Sequence, residues 1–190
     1  MHDFFELFSQ DGPAVFSNIC HADERGTFEM VYEKLRILKK YPNLPELMQV
    51  NVITGVRYSV RGFHGSREEN NHWKIVSCLQ GEIKDFVLDV RVNSKTFGEV
   101  AEIEINEDDH KLLVIPPGFA HAVQSLSDIT LCVYATNIPY RDNKEFSISP
   151  IDPKWKGLWG DHLILSDRDK KAQLFADYVS ESSRNGFTKN

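Results

Sequence analysis

Between residues 50 and 134, apolar and polar positions alternate in short runs broken by turn residues, the pattern of antiparallel strands. The runs predict strands over 56–60, 74–79, 83–92, 99–105, 111–115 and 129–134. Between them stand Gln80-Gly81, Asn93-Ser94-Lys95, Glu107-Asp108-Asp109 and Pro116-Pro117-Gly118, combinations that close tight turns. No helix-length period separates the strands, which argues for an all-β jelly roll or barrel and against a parallel sheet. The flanks read differently. Residues 31–40, rich in Glu, Lys and Leu and halted by Pro42 and Pro45, predict a short helix before the barrel. Ala172, Phe175, Ala176 and Val179 recur at helical spacing, so a C-terminal helix is expected over 166–179, with 182–190 as a frayed tail. The Pro-containing stretch 139–153 reads as an irregular surface connection that could also serve as a lid.

A chain of 190 residues can bury one sizeable core, so one domain is expected over 1–190, its core at about 20–180. With 22 basic and 28 acidic residues, a net charge of −6 and no basic run, nucleic acid and anionic membranes are excluded as expected partners. The start of the chain lacks a basic leader, and no apolar run approaches the roughly 18 residues of a membrane span. A soluble cytoplasmic protein is expected. Cys20, Cys78 and Cys132 are odd in number and include no Cys-x-x-Cys pair, so neither a disulfide framework nor a zinc knuckle is indicated.

Of the seven histidines, only His64, in Arg61-Gly62-Phe63-His64, and His121, in Ile115-Pro116-Pro117-Gly118-Phe119-Ala120-His121, end an apolar strand beside glycine. Glycine there lets the backbone approach a ligand closely, although a strand-end histidine is equally satisfied by a backbone hydrogen bond. A histidine acting as general base needs a carboxylate to fix its tautomer and stabilise the imidazolium. Asp169 is available, but Ser166-x-x-Asp169 also has the form of a helix-capping box, the simpler reading on spacing alone. Tyr134 closes an apolar strand and reads as a core tyrosine with its hydroxyl satisfied. Arg61 and Lys74 lie on adjacent candidate strands and together could clamp a diphosphate. A metal is the competing constellation. Pro116-x-Gly118-x-x-His121 matches the second motif of metal-binding cupins, with His64, His72 and His121 as possible ligands, but His64 is followed by Gly65-Ser66 where the first motif requires further ligands.

Several stretches carry a resemblance when taken in order: Asp23-x-Arg25-Gly26-x-Phe28; Gln49-x-Asn51; Arg61-Gly62-Phe63-His64; Lys74-Ile75-Val76; Gly81 with Asp85 and Asp89-Val90-Arg91; Ser94-x-Thr96-Phe97-Gly98; Ile115-Pro116-x-Gly118-Phe119-Ala120-His121; Tyr134; Pro150-x-Asp152-Pro153; and Leu165-Ser166-x-x-Asp169. Over roughly residues 20–175 the chain resembles the dTDP-4-dehydrorhamnose 3,5-epimerases, nucleotide-sugar epimerases built on a cupin-like jelly roll. The resemblance implies His64 as catalytic base ordered by Asp169, and Tyr134 as acid on the opposite face of the sugar. It further implies Lys74 and His121 in the sugar pocket, Arg25 and Arg61 on the diphosphate, and Gln49 and Asn51 near the nucleotide or sugar. A homodimer is implied, with the segment of Arg25 entering the neighbour's site, and no metal, nicotinamide or other cofactor.

A C4 ketone makes the protons on C3 and C5 acidic, so a base on one face and an acid on the other suffice to invert a centre. The intermediate enolate oxygen needs a cation nearby, for which Lys74 is suited. Departures from the family pattern occur where Gly65-Ser66 opens a polar loop over 67–71, where the acidic residue near Arg25 falls one place early as Glu29, and at Ala122-Val123. They point to a relative acting on another sugar or nucleotide, or at one carbon only. A metal-dependent cupin enzyme and a non-catalytic nucleotide-sugar-binding module remain the alternatives.

Overall fold

A computed structural model describes residues 4–8, 11–66, 71–142 and 144–184. In chain order its first strands are β1 (Phe4–Glu6), β2 (Ala14–Ser17), β3 (Ile19–Asp23), β4 (Gly26–Met30), β5 (Gln49–Val56), β6 (Ser59–Gly65) and β7 (Lys74–Gln80). There follow β8 (Glu82–Asp89), β9 (Val100–Asn106), β10 (Lys111–Ile115), β11 (Phe119–Ser125), β12 (Ile129–Thr136), β13 (Phe146–Ser147) and β14 (Ile164–Leu165). They form a jelly roll of two main sheets. One has the order β1-β2-β10-β7-β12-β5; in the other, β13-β6-β11-β8-β9, the strand β14 also pairs with β6. β3 and β4 form a separate two-stranded ribbon.

The expected strands at 74–79, 99–105, 111–115 and 129–134 appear with ends shifted by at most two residues, and that at 83–92 stops at Asp89. The run at 56–60 is not one strand. Arg57 and Tyr58 form the turn between β5 and β6, with Tyr58 at φ 68°, so apolar Val56 and Val60 belong to different strands. β11 was hidden inside the Pro-Pro-Gly-Phe-Ala-His motif and pairs with both β6 and β8. The core also begins earlier than residue 20: Ala14, Val15 and Phe16 on β2 are at most 2% exposed.

The helical expectations shrink. Only Lys34–Ile37 is helical before the barrel, α1, with Ile37 buried. The predicted 166–179 helix is two pieces, α2 (Asp167–Lys170) and α3 (Phe175–Arg184), because Ser166 caps the first and the chain then leaves helical geometry at Lys171. Ala176 faces solvent, and Tyr178, outside the expected stripe, is the buried aromatic residue of α3. Ser182 is also buried in that helix rather than frayed, while 185–190 lie outside the described residues. Tyr178 donates to the carbonyl of Val90 at 3.3 Å and packs in a cluster with Phe63, Phe86, Trp155 and Phe146, so the C-terminal helix is fastened to the second sheet.

One strand reverses the usual logic of alternation. On β5 the inward positions are Gln49, Asn51, Ile53 and Gly55, while Val50, Val52 and Val56 point outward and are 65%, 66% and 55% exposed. The interior beneath β5 is a cavity rather than a packed core, so its inward side chains are polar or small.

Candidate active site

The two main sheets enclose a cavity of about 650 Å³. β6 contributes Arg61 and His64, β11 His121, β7 Lys74, β12 Tyr134, and β5 Gln49 and Asn51. The Arg61-Gly62-Phe63-His64 motif has a local reason. Gly62 lies at φ +117°, and a Cβ built on it would fall 2.3 Å from the carbonyl oxygen of His121, so only glycine lets β6 run this close to β11. That approach sets His64 and His121 side by side as register partners.

Each histidine meets its own carboxylate. His64 Nε2 lies 2.6 Å from Asp169 Oδ1, and His121 Nδ1 lies 3.1 Å from Asp85 Oδ2. Asp169 has both functions that its spacing left open. Its backbone N–H donates to Ser166 Oγ at 3.1 Å as the cap of α2, and its Oδ2 accepts from the Ser166 hydroxyl at 2.8 Å. Burial opposes its charge, but the bonds from His64 and Ser166 hold the carboxyl below its ordinary range. Tyr134 comes from the facing sheet. Its ring stacks on His121 at 6.1 Å between centroids and 8° between planes, and burial, reinforced by the charges of Glu145 and Asp85, raises its hydroxyl well above the usual range. The phenol therefore stays protonated and able to donate.

Lys74 is 2% exposed, donates to the His64 carbonyl at 3.0 Å and forms an ion pair with Glu145. Burial pulls the ammonium below its ordinary range against the attraction of Glu145. Burial also penalises the Glu145 carboxylate, yet the Lys74 charge brings it down to about 2. Glu145 is thus held as a carboxylate facing a cation at contact, with histidines behind it. Sequence reasoning missed Glu145. It arrives on the 139–153 connection, read as surface loop, whose β13 adds to the edge of β6 and so carries Glu145 into the cavity wall. A lone acid in a Pro-bounded polar stretch carries no periodic signal that would have marked it. Arg168 Nη2, also in the wall, lies 3.8 Å from Glu145 Oε2.

Other expectations are displaced. Arg25 does not enter this cavity: it sits at the turn of the β3–β4 ribbon, its side chain 90% exposed and paired with Asp23. Glu29 bonds Asn18 and His110 within its own chain. Gly65, the last residue of β6, and Ser66 are buried and do not line the cavity, while residues 67–70 of the loop they open lie outside the described residues. Ala122 is core, whereas Val123 does face the cavity. The three-histidine set does not assemble either. His72 Nε2 bonds Thr136 Oγ1 at 2.6 Å, and among the described residues no three His, Cys, Asp or Glu side chains converge as metal ligands.

The family model described as dTDP-4-dehydrorhamnose 3,5-epimerase matches residues 9–177. The dTDP-4-dehydrorhamnose 3,5-epimerase of Streptomyces griseus is 30% identical over 158 residues, 82% of this chain and 78% of that protein. NovW, a 4-keto-6-deoxy sugar epimerase from the novobiocin cluster of Streptomyces spheroides, superposes with a TM-score of 0.85 at 26% identity, covering 97% of this chain and 92% of its own. ChmJ, a 3'-monoepimerase of Streptomyces bikiniensis solved in complex with dTDP-quinovose, gives 0.84 at 26% identity over 96% and 91%. The similarity runs through both sheets and nearly all of the chain that builds the cavity. The chain belongs to the dTDP-4-dehydrorhamnose 3,5-epimerase family.

Proposed function

We propose that this protein is a cofactor-independent epimerase that inverts C3, C5 or both in a nucleotide-linked 4-keto-6-deoxy sugar. The observation that carries the reading is the placement of two proton-transfer groups on opposite walls of one cavity, His64 with Asp169 on one sheet and Tyr134 on the other. His64 removes the proton beside the C4 ketone, and Asp169 stabilises the imidazolium that results. Electron density moves onto the C4 oxygen, and the Lys74 ammonium, which already bonds the His64 carbonyl, faces that charge. Tyr134 then donates a proton to the same carbon from the other face, which inverts it. His121 holds the tyrosine ring by stacking. Arg61, Gln49 and Asn51 hold the diphosphate and the sugar from the cavity rim.

Arg25 has no role in its own chain's cavity under this reading; it serves the diphosphate in the site of a second copy. A homodimer is supported by the exposed apolar face of Val50, Val52, Val56 and Ile129, which water disfavours and a second copy would cover. The reading places the enzyme in the cytoplasm, in keeping with three free thiols. Among the described residues, no helix is long and apolar enough to cross a membrane.

The test is proton exchange in deuterated water, followed by NMR with dTDP-4-keto-6-deoxyglucose and with its UDP-, GDP- and CDP-linked counterparts. Deuterium enters C3, C5 or both with inversion. His64→Ala abolishes exchange, while Tyr134→Phe retains exchange from the base's side with inversion lost. Absence of exchange with every 4-keto sugar would refute the reading.

A further inference from the structure

The cavity wall carries two thiols that proton transfer does not use. Cys78 on β7 and Cys132 on β12 are register partners across the central pair of the first sheet. They are 4% and 5% exposed, and Cys132 also lines the cavity, on the same face of β12 as Tyr134. Residues directly opposed in an antiparallel pair have Cα atoms about 4.5–5.5 Å apart, within the roughly 4.4–6.8 Å that a disulfide spans. The register shifts between Leu131 and Cys132, an irregularity that bends the strand and raises its twist next to the pair.

The two thiols act on one another's titration: Cys132 draws Cys78 below the ordinary thiol range, and Cys78, with burial, pushes Cys132 up. The Cys78 sulfur also lies 3.3 Å from the carbonyl oxygen of Gln80, which fixes its position. Two thiols opposed in register, one of them facing a cavity that admits a small oxidant, are arranged for oxidation followed by capture. Cys20 has no such neighbour in register; it stands opposite Glu29 on the β3–β4 ribbon.

We propose that Cys78 and Cys132 are a reversible oxidation site, closed to a cross-strand disulfide by hydrogen peroxide that enters through the cavity. Peroxide entering beside Cys132 meets the Cys78 sulfur, which attacks it; the O–O bond breaks, and Cys78 becomes a sulfenic acid with release of water. The Cys132 sulfur then attacks the Cys78 sulfur, and hydroxide leaves with the Cys132 proton as a second water. Two thiols and one peroxide thus yield one disulfide and two waters. The new bond ties β7, which carries Lys74, to β12, which carries Tyr134, one inward pair away from Val76 and Tyr134. Oxidation therefore acts on the wall that holds the sugar.

The chemical test needs no substrate. Reduced protein is treated with excess peroxide, quenched, unfolded and assayed for thiols and by peptide mass mapping. The thiol count falls from three to one, the chain loses about 2 Da, the linked peptides contain Cys78 and Cys132, and dithiothreitol reverses the change. Cys20→Ser retains the closure, and Cys78→Ala or Cys132→Ala abolishes it. Three surviving thiols, oxidation confined to Cys20, or a wild-type product dominated by sulfinic acid overturns the proposal.

Discussion

Replacing Glu145 with Gln removes the counter-charge of an ammonium that is 2% exposed. If Lys74 stays charged, an unpaired buried charge costs about 3–5 kcal/mol. If it gives up its proton instead, the cost near pH 7 is about 1.4 kcal/mol for each pH unit below a free lysine's range, about 4.6 kcal/mol in all. The carboxylate side agrees in size: a Glu145 held at about 2 rather than 4.5 carries about 3 kcal/mol. Because its folded pKa is depressed, that contribution is present above 4.5 and is lost as the pH falls towards 2. Glu145→Gln should therefore lose about 3–5 kcal/mol near neutral pH, read from urea unfolding. In the variant a neutral Lys74 binds no proton until the chain unfolds, so stability rises with pH by up to about 1.4 kcal/mol per unit. The deficit against the parent thus narrows from about pH 7 to about pH 9. Removing both charges, Lys74→Met with Glu145→Gln, recovers most of the loss. A single variant within about 1 kcal/mol of the parent, or a double variant no more stable than the single, would refute the reasoning.

His72, held at about 4 by burial and then by the Lys74 charge, stabilises the fold above 6.5, and that stability is lost as the pH falls through about 4. His72→Gln should remove up to about 3 kcal/mol of this pH dependence between those values, seen in urea midpoints; equal slopes count against it. Asp169→Asn keeps a bond to His64 without the charge, and turnover should fall on the order of a hundredfold or more at similar KM. Steady-state kinetics showing less than about a tenfold loss would argue that His64 works without it. Gly62→Ala forces a positive φ on alanine and sets its Cβ against the His121 carbonyl, so a loss of about 2 kcal/mol or more is expected in thermal unfolding. A variant as stable as the parent would mean that β6 can move away from β11.

Local periodicity and turn chemistry were enough to mark β7, β8, β9, β10 and β12, because each has a buried face and is bounded by turn residues, whereas β11, β13 and β14 carried no such pattern. The histidine motifs stood out in sequence because they close apolar strands beside glycine, a local feature, whereas spacing alone gave Tyr134 as core and Asp169 as a helix cap, and only the ordered resemblance to the family assigned them to the site. The long-range contacts were not legible. Glu145 reaches Lys74 only because β13 joins the edge of β6, a pairing across about eighty residues of chain that no nearby pattern encodes. The C-terminal stripe misled for a related reason: Ser166 stops one helix and Tyr178 anchors the next, and tertiary contact outweighs period in so short a segment.

The sequence by itself determined an all-β chain with acid/base residues at strand ends, since alternation, turns and caps are set by neighbours in the chain. Only the tertiary structure decided which face of each strand looks inward. On β5 it turned valines out and amides in, because a cavity filled with water or ligand reverses the preference that a packed core imposes. It also decided that His64 and Tyr134 face one another across that cavity, since their sheets meet only after the chain has folded.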